Sequence, residues 1–305
     1  MKLYSLLRRR EIKVSLRYSR YIADLNRAFG PIKSVQFADD TTVYHSHQDT
    51  DELVRQLNNQ LIVVDSWLCA NRLSLNIEKT SYMIISNDNA DNVDLKIRNC
   101  SLNRVYSAKF LGITLDDKLN FKEHVSNISK KISSSIGAIY RVKPYVPPFI
   151  IYKLYYSLVY SHLTYAIITW GKSNLGNIHI VSKLQEKALK LLPGDLESTF
   201  KNNNIMKFES IYKYFVCLKF FKSEKDHNHK YLCDIIQNLK PDHNYSTRFS
   251  SSDNYNVPHF NFSKYKSSYL YNAISIWNNL PIELKQENYY NKFKNKLKKH
   301  LLLNQ

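Results

Sequence analysis

Polar and apolar residues alternate with a period of two on both sides of an adjacent pair of aspartates near the start of the chain. Residues 33–37 alternate up to Phe37, and residues 41–44 continue in an extended, β-branched pattern after Asp39 and Asp40. Such alternation is typical of a half-buried strand. The sequence therefore predicts a β-hairpin with both carboxylates at its turn and with Phe37 packed beneath its tip.

A helical period follows the hairpin. Asp49 is a candidate N-cap, and apolar residues then recur at helical spacing up to about Asn71–Arg72. Two apolar runs come next, at 82–85 and at 109–116, and the second contains one Gly. These segments predict a helix that covers the hairpin, followed by strands, with Lys79 in the connecting loop.

The rest of the chain has the pattern of a mainly helical protein. Residues 124–140 are amphipathic, with Lys130, Lys131 and Arg141 off the apolar stripe. Two prolines at 147–148 mark the start of the next helix. The charged side chains off the stripe have two readings, a solvated face or a surface for phosphates.

The apolar segment 149–170 is long enough to suggest a membrane span. Seven Tyr or Ser positions interrupt it, so we predict a buried helix and no membrane partner. The last helix, after Pro281, is predicted to bury Phe293, Leu297 and Leu301 on one face, with lysines around them.

The charge of the chain narrows the choice of partners. Lys and Arg total 44 against 26 acids, a formal net charge of +18, which favours a polyanionic partner such as nucleic acid. Four cysteines lie far apart, so neither a zinc site nor a secreted disulfide framework is indicated. No signal-like apolar run begins the chain, and we expect an intracellular protein of the nucleus, the cytoplasm or both.

The paired aspartates also have two readings. Asp is common in turns because its side chain bonds its own backbone. Two adjacent carboxylates repel each other, however, and a hard divalent cation such as Mg2+ would relieve that repulsion. The segments downstream decide between these readings.

The order of these segments resembles the rear half of a reverse-transcriptase palm, and more closely the reverse transcriptases of non-LTR retrotransposons of the jockey and CR1-like group. Six stretches carry the resemblance: FADDT at 37–41, NRLSLNIEKT at 71–80 after Trp67, KFLGITLD at 109–116, WG at 170–171, HNYSTR at 243–248 and WNNLP at 277–281.

The resemblance implies an α+β fold. It implies a partial palm of β-hairpins plus a covering helix at 21–118, a thumb-like helical region at 119–171, and a helical region at 172–305 that ends in a basic helix. A basic segment, 1–20, precedes them.

The resemblance also implies a chemistry, template-directed nucleotidyl transfer with an RNA template, a DNA primer and a dNTP, in which two Mg2+ ions stabilise the reacting oxygens. Asp39 would be the shared metal ligand and Asp40 a weaker one. Lys79 would donate a proton to departing pyrophosphate, and the 109–116 hairpin would position the primer end. Nucleic-acid contacts are expected at five basic residues: Arg72, Lys109, Lys130, Lys131 and Arg141.

Two features that this family requires are not found before Phe37, a strand-borne Asp and a Gln-Gly loop. We therefore expect a carboxyl-terminal part of a longer polymerase that does not polymerise alone, with unpaired strand edges where the front of the palm would lie. A non-catalytic nucleic-acid-binding remnant with an idle Asp pair is the second hypothesis. The sequence leaves the oligomeric state open.

Overall fold

The structure is a computed structural model that describes residues 2–6 (as a strand), 22, 24–37, 40–86, 93–193, 204–225, 230–241, 252–258 and 266–305. It divides into two units, Met1–Asn120 and Phe121–Gln305, and each is described by itself. The mixture of helices and small sheets agrees with the predicted α+β class. The four-part division of the chain stays a prediction.

The first unit contains a five-stranded sheet in the order β2-β3-β1-β4-β7. Its strands are β1 (Lys2–Leu6), β2 (Lys33–Phe37), β3 (Asp40–Tyr44), β4 (Ser81–Met83) and β7 (Asn103–Arg104). β1 is antiparallel to both of its neighbours, and β4 and β7 are parallel. Two small hairpins complete the strands: β5 (Lys96–Ile97) with β6 (Cys100–Ser101), and β8 (Ser107–Phe110) with β9 (Ile113–Asp116).

Two helices pack on this sheet, α1 (Leu25–Ala28) and α2 (Thr50–Ala70). The predicted N-cap and the predicted end of α2 are confirmed, because the Asp49 carboxylate accepts a hydrogen bond from the Asp51 N–H at 2.9 Å and the helix ends at Ala70. The apolar stripe of α2 is buried with Val43 and Tyr82 in one core. Helical periodicity thus identified the covering helix correctly.

The predicted face of β2 is wrong. Phe37 is 61% exposed and Val35 is also exposed, so neither packs beneath the hairpin. The register explains this, because Phe37 pairs with Asp40 while Ser34 pairs with Val43, whose side chain lies in the core. Paired residues share a face of the sheet. The alternation was recognised, but the opposite set of side chains, Ser34 and Gln36, lies on the face of the sheet that carries Val43.

The β8–β9 hairpin confirms the prediction for 109–116. Its turn is Leu111–Gly112, and both residues have positive φ, 45° and 81°. Two such residues between antiparallel strands are typical of the turns that match strand twist. Gly112 adopts this conformation without steric cost.

The described ranges of the second unit contain helices, turns and loops and no strand. Its helices are α3 (Lys122–Val142), α4 (Pro148–Leu154), α5 (Ser161–Thr164), α6 (Ile167–Trp170), α7 (Leu175–Leu189), α8 (Phe208–Lys225), α9 (Lys230–Gln237), α10 (Tyr269–Asn278), α11 (Ile282–Lys285) and α12 (Tyr290–Leu303). Phe293, Leu297 and Leu301 are buried on α12, as predicted. None of the helices in the described ranges is both long and apolar enough to cross a bilayer.

Segment 149–170 starts at Pro148 as predicted, but it is not one regular helix. A π-helical turn, Tyr155–Tyr160, follows α4, and the chain breaks at Tyr165 and Ala166 before α6. The wider turn rotates the side chains that follow. Within this turn Tyr155 is buried and Tyr156 is exposed.

The WG pair is a packing centre of the second unit. Trp170 meets the ring of His124 edge-on and stacks on Phe208, each with ring centroids 5.6 Å apart. A Cβ on Gly171 would lie 2.6 Å from the Ile167 carbonyl oxygen and 2.7 Å from the Tyr212 ring. This corner of the fold therefore has no room for a larger residue.

Residues of the WNNLP stretch form hydrogen bonds that hold the segment 252–258 against the helices. Trp277 is buried and donates from Nε1 to the Asp253 carbonyl at 3.2 Å. Asn278 accepts from the Tyr255 N–H at 2.9 Å and donates to the Tyr255 carbonyl at 2.8 Å. Lys285, also buried, donates to the Asn254 side chain at 2.7 Å. The HNYSTR stretch lies outside the described residues.

Candidate functional site

The paired aspartates stand in the sequence where β2 ends and β3 begins. Asp40 is the first residue of that strand, and Asp39 lies outside the described residues. Asp40 pairs with Phe37 on one edge and with Leu6 on the other. The candidate site is therefore the end of the sheet where β2, β3 and β1 meet.

Strand β1 is an element that the sequence did not indicate. It pairs with β3 along its whole length, from Lys2 to Leu6. The pairing was missed because strand neighbours far apart in sequence leave no periodic signal. The sequence of β1, KLYSL, contains no acidic residue, so it adds no carboxylate beside Asp40.

Lys79 lies at the same end of the sheet. It is exposed on a single 3-10 turn, Ile77–Lys79, that leads into β4. β3 and β4 flank β1 and run in the same direction, so their first residues share one end of the sheet. Two strand spacings amount to about 10 Å between the β3 and β4 axes. The structure thus brings Asp40 and Lys79 to one end of the sheet, but not into contact distance.

The described residues do not form a metal centre. Within the described ranges, no group of three or more His, Cys, Asp or Glu side chains could hold a metal ion. Asp39 and Asp40 supply two carboxylates by sequence, and β1 supplies none. This donor set does not fit a two-ion Mg2+ centre.

The five predicted nucleic-acid contacts divide between the units. Arg72 and Lys109 belong to the first unit, the former just after α2 with a φ of 54° and the latter on β8. Lys130, Lys131 and Arg141 belong to α3 in the second unit. All five side chains are exposed. The structure therefore does not show one site that contains all five.

On α3, Lys130 and Arg141 share a face. They are eleven residues apart, which at 3.6 residues per turn places them about 20° apart around the axis. Lys131 lies about 100° from Lys130 on the same basis. The apolar stripe, with Val125, Ile128 and Ile132, is buried on another side of the helix. The cations can therefore all meet a partner that lies along α3.

A stronger charge signal was missed in the sequence. From residue 124 to residue 185 the chain contains no Asp or Glu. Seven cations lie in that range, and all are exposed: Lys130, Lys131, Arg141, Lys143, Lys153, Lys172 and Lys183. A local count of acids would have found this range, whereas the net charge of the whole chain concealed it.

Exposed aromatic side chains lie among these cations. Tyr140, Tyr145 and Phe149 are all exposed where α3 ends and α4 begins, and Tyr145 reaches 85%. Lys153 Nζ lies 5.3 Å from the centroid of the Phe149 ring. Aromatic rings among basic residues are the usual means of stacking unpaired bases while holding their phosphates. This surface is chemically suited to nucleic acid.

Comparison with known proteins gives a similarity to a reverse transcriptase. In particular, the chain is 24% identical over 189 residues to the RNA-directed DNA polymerase from the mobile element jockey of Drosophila funebris. The alignment covers 58% of this chain and 20% of the relative, so the chain matches about a fifth of that protein's length. No family model matches the chain, and no solved structure matches it.

Proposed function

We propose that this chain acts as part of an RNA-directed DNA polymerase of a non-LTR mobile element, and that it binds the RNA template and DNA primer through α3 and the turn that follows it. The observation that carries this proposal is the exposed, acid-free cationic range 124–185 in a chain similar to the jockey polymerase. Polyanion binding by such a range releases counterions from the nucleic acid.

Binding follows from the side chains of the second unit. Lys130, Lys131 and Arg141 contact phosphates, which fixes the position of the duplex without reading its sequence. Tyr145 and Phe149 stack on unpaired bases next to the duplex, which adds affinity that salt screens weakly. Together these contacts give strong, sequence-tolerant binding.

Catalysis would require more than the described residues. In the complete polymerase, Asp39 and Asp40 would contribute carboxylates to nucleotidyl transfer, with two Mg2+ ions and a dNTP, and Lys79 would act from the same end of the sheet. Because β1 supplies no third carboxylate, we propose that the chain alone binds template–primer without extending it.

A second candidate function is a non-catalytic nucleic-acid-binding protein in which the Asp pair is idle. The apolar Leu6 opposite Asp40 favours it, since this is the residue nearest to Asp40 across the β1–β3 pairing. Both candidates predict binding, and they differ in whether a carboxylate restored at this point enables extension.

The test is fluorescence anisotropy of a labelled RNA–DNA template–primer as a function of salt, with primer extension measured in parallel. Binding becomes weaker as salt increases, and the slope of log K against log salt concentration counts the phosphates that the protein neutralises. Replacing Lys130 and Lys131 by Met should reduce the magnitude of this slope by about two, one for each phosphate that is no longer neutralised. The control replaces Lys292 and Lys294 on α12 by Met, which changes the charge equally and should leave the slope unchanged. Equal decreases in both variants, or extension that depends on Asp40, would overturn the proposal.

A further inference from the structure

The first unit has an open strand edge. Among the described strands, β2 is the last of the five-stranded sheet and pairs only with β3. It runs for five residues without proline or glycine, and its single charge is at its first residue, Lys33. Proteins usually block such edges with charges, prolines or a covering segment, because an open edge pairs readily with another strand. The sequence of β2 therefore leaves its edge suited to pairing.

The hairpin fixes which backbone groups point outward from this edge. Two residues separate Phe37 from Asp40, and the residues that flank such a short turn exchange two hydrogen bonds. Hydrogen-bonded and non-hydrogen-bonded pairs then alternate along the ladder. Ser34 and Gln36 therefore fall in non-hydrogen-bonded pairs, and their N–H and C=O groups point away from β3. Neither residue forms another backbone hydrogen bond within the described ranges.

The side chains of β2 leave one face of the strand exposed. Ser34 Oγ donates to Asn26 Oδ1 at 2.6 Å, which holds the opposite face against the segment before the strand. On the outer face, Val35 is 42% exposed and Phe37 is 61% exposed. A further strand on this edge would pair the outward backbone groups and cover part of both apolar side chains.

A second copy of β2 matches this edge in its hydrogen-bond register. In an antiparallel pair with a two-fold axis at Val35, Ser34 of each copy faces Gln36 of the other. Both of these pairs join outward groups to outward groups, so four backbone hydrogen bonds form. An axis at Ser34 or at Gln36 allows only two within the strand, and an axis between residues sets outward groups against inward ones.

The charges of the hairpin favour the same arrangement. The antiparallel pair places Lys33 of one copy opposite Phe37 of the other, in the row that continues to Asp40 on β3. An ammonium group thus lies beside an aromatic ring, and the opposite charges are two strand spacings, about 10 Å, apart. A parallel pair would instead set Lys33 against Lys33, and like charges directly opposite each other destabilise a sheet.

We propose that β2 is a homodimerisation edge, at which two copies of this chain join their sheets through antiparallel β2 strands centred on Val35. Each copy uses its β2 edge once, so the contact closes at two copies. A single strand pair is a small interface, and we therefore expect a weak dimer that forms as the chain concentration rises. This interface goes beyond the nucleic-acid binding proposed for α3 and does not depend on it.

The test is sedimentation velocity of the nuclease-treated full chain up to about 0.1 mM, where a weak dimer is populated. Each copy has a net charge of +18, so the dimer should become stronger between about 0.1 M and about 1 M salt, as the Debye length falls from about 10 Å to about 3 Å. Copies bridged by residual nucleic acid would show the opposite response. A chain that stays monomeric throughout, or a dimer that salt dissociates, would overturn the proposal.

Two substitutions at Val35 test the position of the axis. Val35→Lys and Val35→Asp each set like charges across the axis, and each should raise the dimer dissociation constant at least about tenfold. Because the Val35 side chain is already exposed, both variants should keep the wild-type thermal midpoint. An equimolar mixture of the two variants should dimerise again, since opposite charges then meet at the axis.

Ile62→Lys is the matched control for the added charge. Ile62 is 65% exposed on α2 of the same unit, so a lysine there should leave the dissociation constant unchanged. Equal weakening by Ile62→Lys would show that net charge, not the β2 edge, controls association. That result, a dimer unaffected by Val35→Lys, or a mixture of the two Val35 variants that stays monomeric would each contradict the proposed interface.

Discussion

Leu6 is the backbone partner of Asp40 across the antiparallel pairing of β1 with β3. The position opposite a candidate catalytic carboxylate is therefore held by an apolar residue. Since Phe37 is the partner on the other edge, neither neighbour of Asp40 in the sheet carries a charge. This relationship, more than the presence of the Asp pair itself, decides what the hairpin can do.

Replacing Leu6 by Asp should create a metal site. Directly paired residues have Cβ atoms about 5 Å apart, so the new carboxylate would lie beside that of Asp40. We expect the variant to unfold at a lower temperature than the wild type in chelator, because like charges repel, and to regain stability with Mn2+ or Mg2+.

Ser5→Asp is the matched control, because Ser5 pairs with Thr41 and a side chain there lies on the other face of the sheet. Equal metal stabilisation in both variants would contradict the assigned register. Primer extension by Leu6→Asp would favour the polymerase assignment, and metal binding without extension would favour the idle pair.

Asn278→Ala should destabilise the second unit. The side chain bonds both the N–H and the carbonyl of Tyr255, so its removal leaves two backbone groups without partners. We expect a decrease of about 2 kcal/mol in the free energy of unfolding. Urea denaturation measures this decrease.

The neighbouring Asn279 provides the comparison. It is exposed and donates only to the Ser275 carbonyl of its own helix, so Asn279→Ala should change stability by less than about 0.5 kcal/mol. Similar decreases at both positions would mean that the segment 252–258 is not fastened through Asn278.

The free energy of unfolding should decrease at acid pH because His124 is buried in its neutral form. Burial lowers the pKa of His124 below its ordinary value of 6.5, and nearby Lys131 lowers it further. Below pH 6.5 the unfolded chain takes up a proton at this residue that the folded chain does not, so the free energy of unfolding decreases as the pH falls. Denaturation midpoints at pH 7.5 and pH 5.5 measure this decrease.

His124→Phe removes the titrating group and keeps an aromatic ring for the edge contact with Trp170. The variant should show a weaker pH dependence, with a remainder from His162, whose pKa burial also lowers. A variant as acid-sensitive as the wild type would show that His124 is not the source.

Local patterns predicted local structure well. The bounds of α2, the stripe of α3 and the hairpin at 109–116 all follow from side-chain period, capping and turn residues, which act within a few residues of the chain. The register of β2 could not be predicted in the same way. Which face of an alternating strand turns inward depends on its partners, and polar Ser34 faces the core side because Val43 lies opposite.

The candidate site likewise has some features that local sequence predicts and others that depend on distant parts of the chain. The adjacent aspartates were identified from residue types and their order, and Lys79 from the family resemblance, and the sheet brings Asp40 and Lys79 to one end. The absence of a carboxylate opposite Asp40 depends on β1, a strand more than thirty residues away in the sequence.

Two glycines of the second unit should respond to alanine with opposite signs. At Gly171, a methyl group would lie 2.6 Å from the Ile167 carbonyl oxygen, and that backbone atom cannot move without distorting α6. We expect Gly171→Ala to lower the free energy of unfolding by about 1–3 kcal/mol, as for other overpacked positions. At Gly137, within α3, no atom lies within 4 Å of the added methyl group.

Gly137→Ala should therefore raise stability by about 0.5–1 kcal/mol, because alanine loses less backbone entropy in a helix. Since the two substitutions add the same methyl group, their difference isolates the space around each position. Urea denaturation of both variants measures it. Stabilisation by Gly171→Ala would show that Tyr212 and Ile167 do not close around this corner, and the packing assigned to Trp170 would then be wrong.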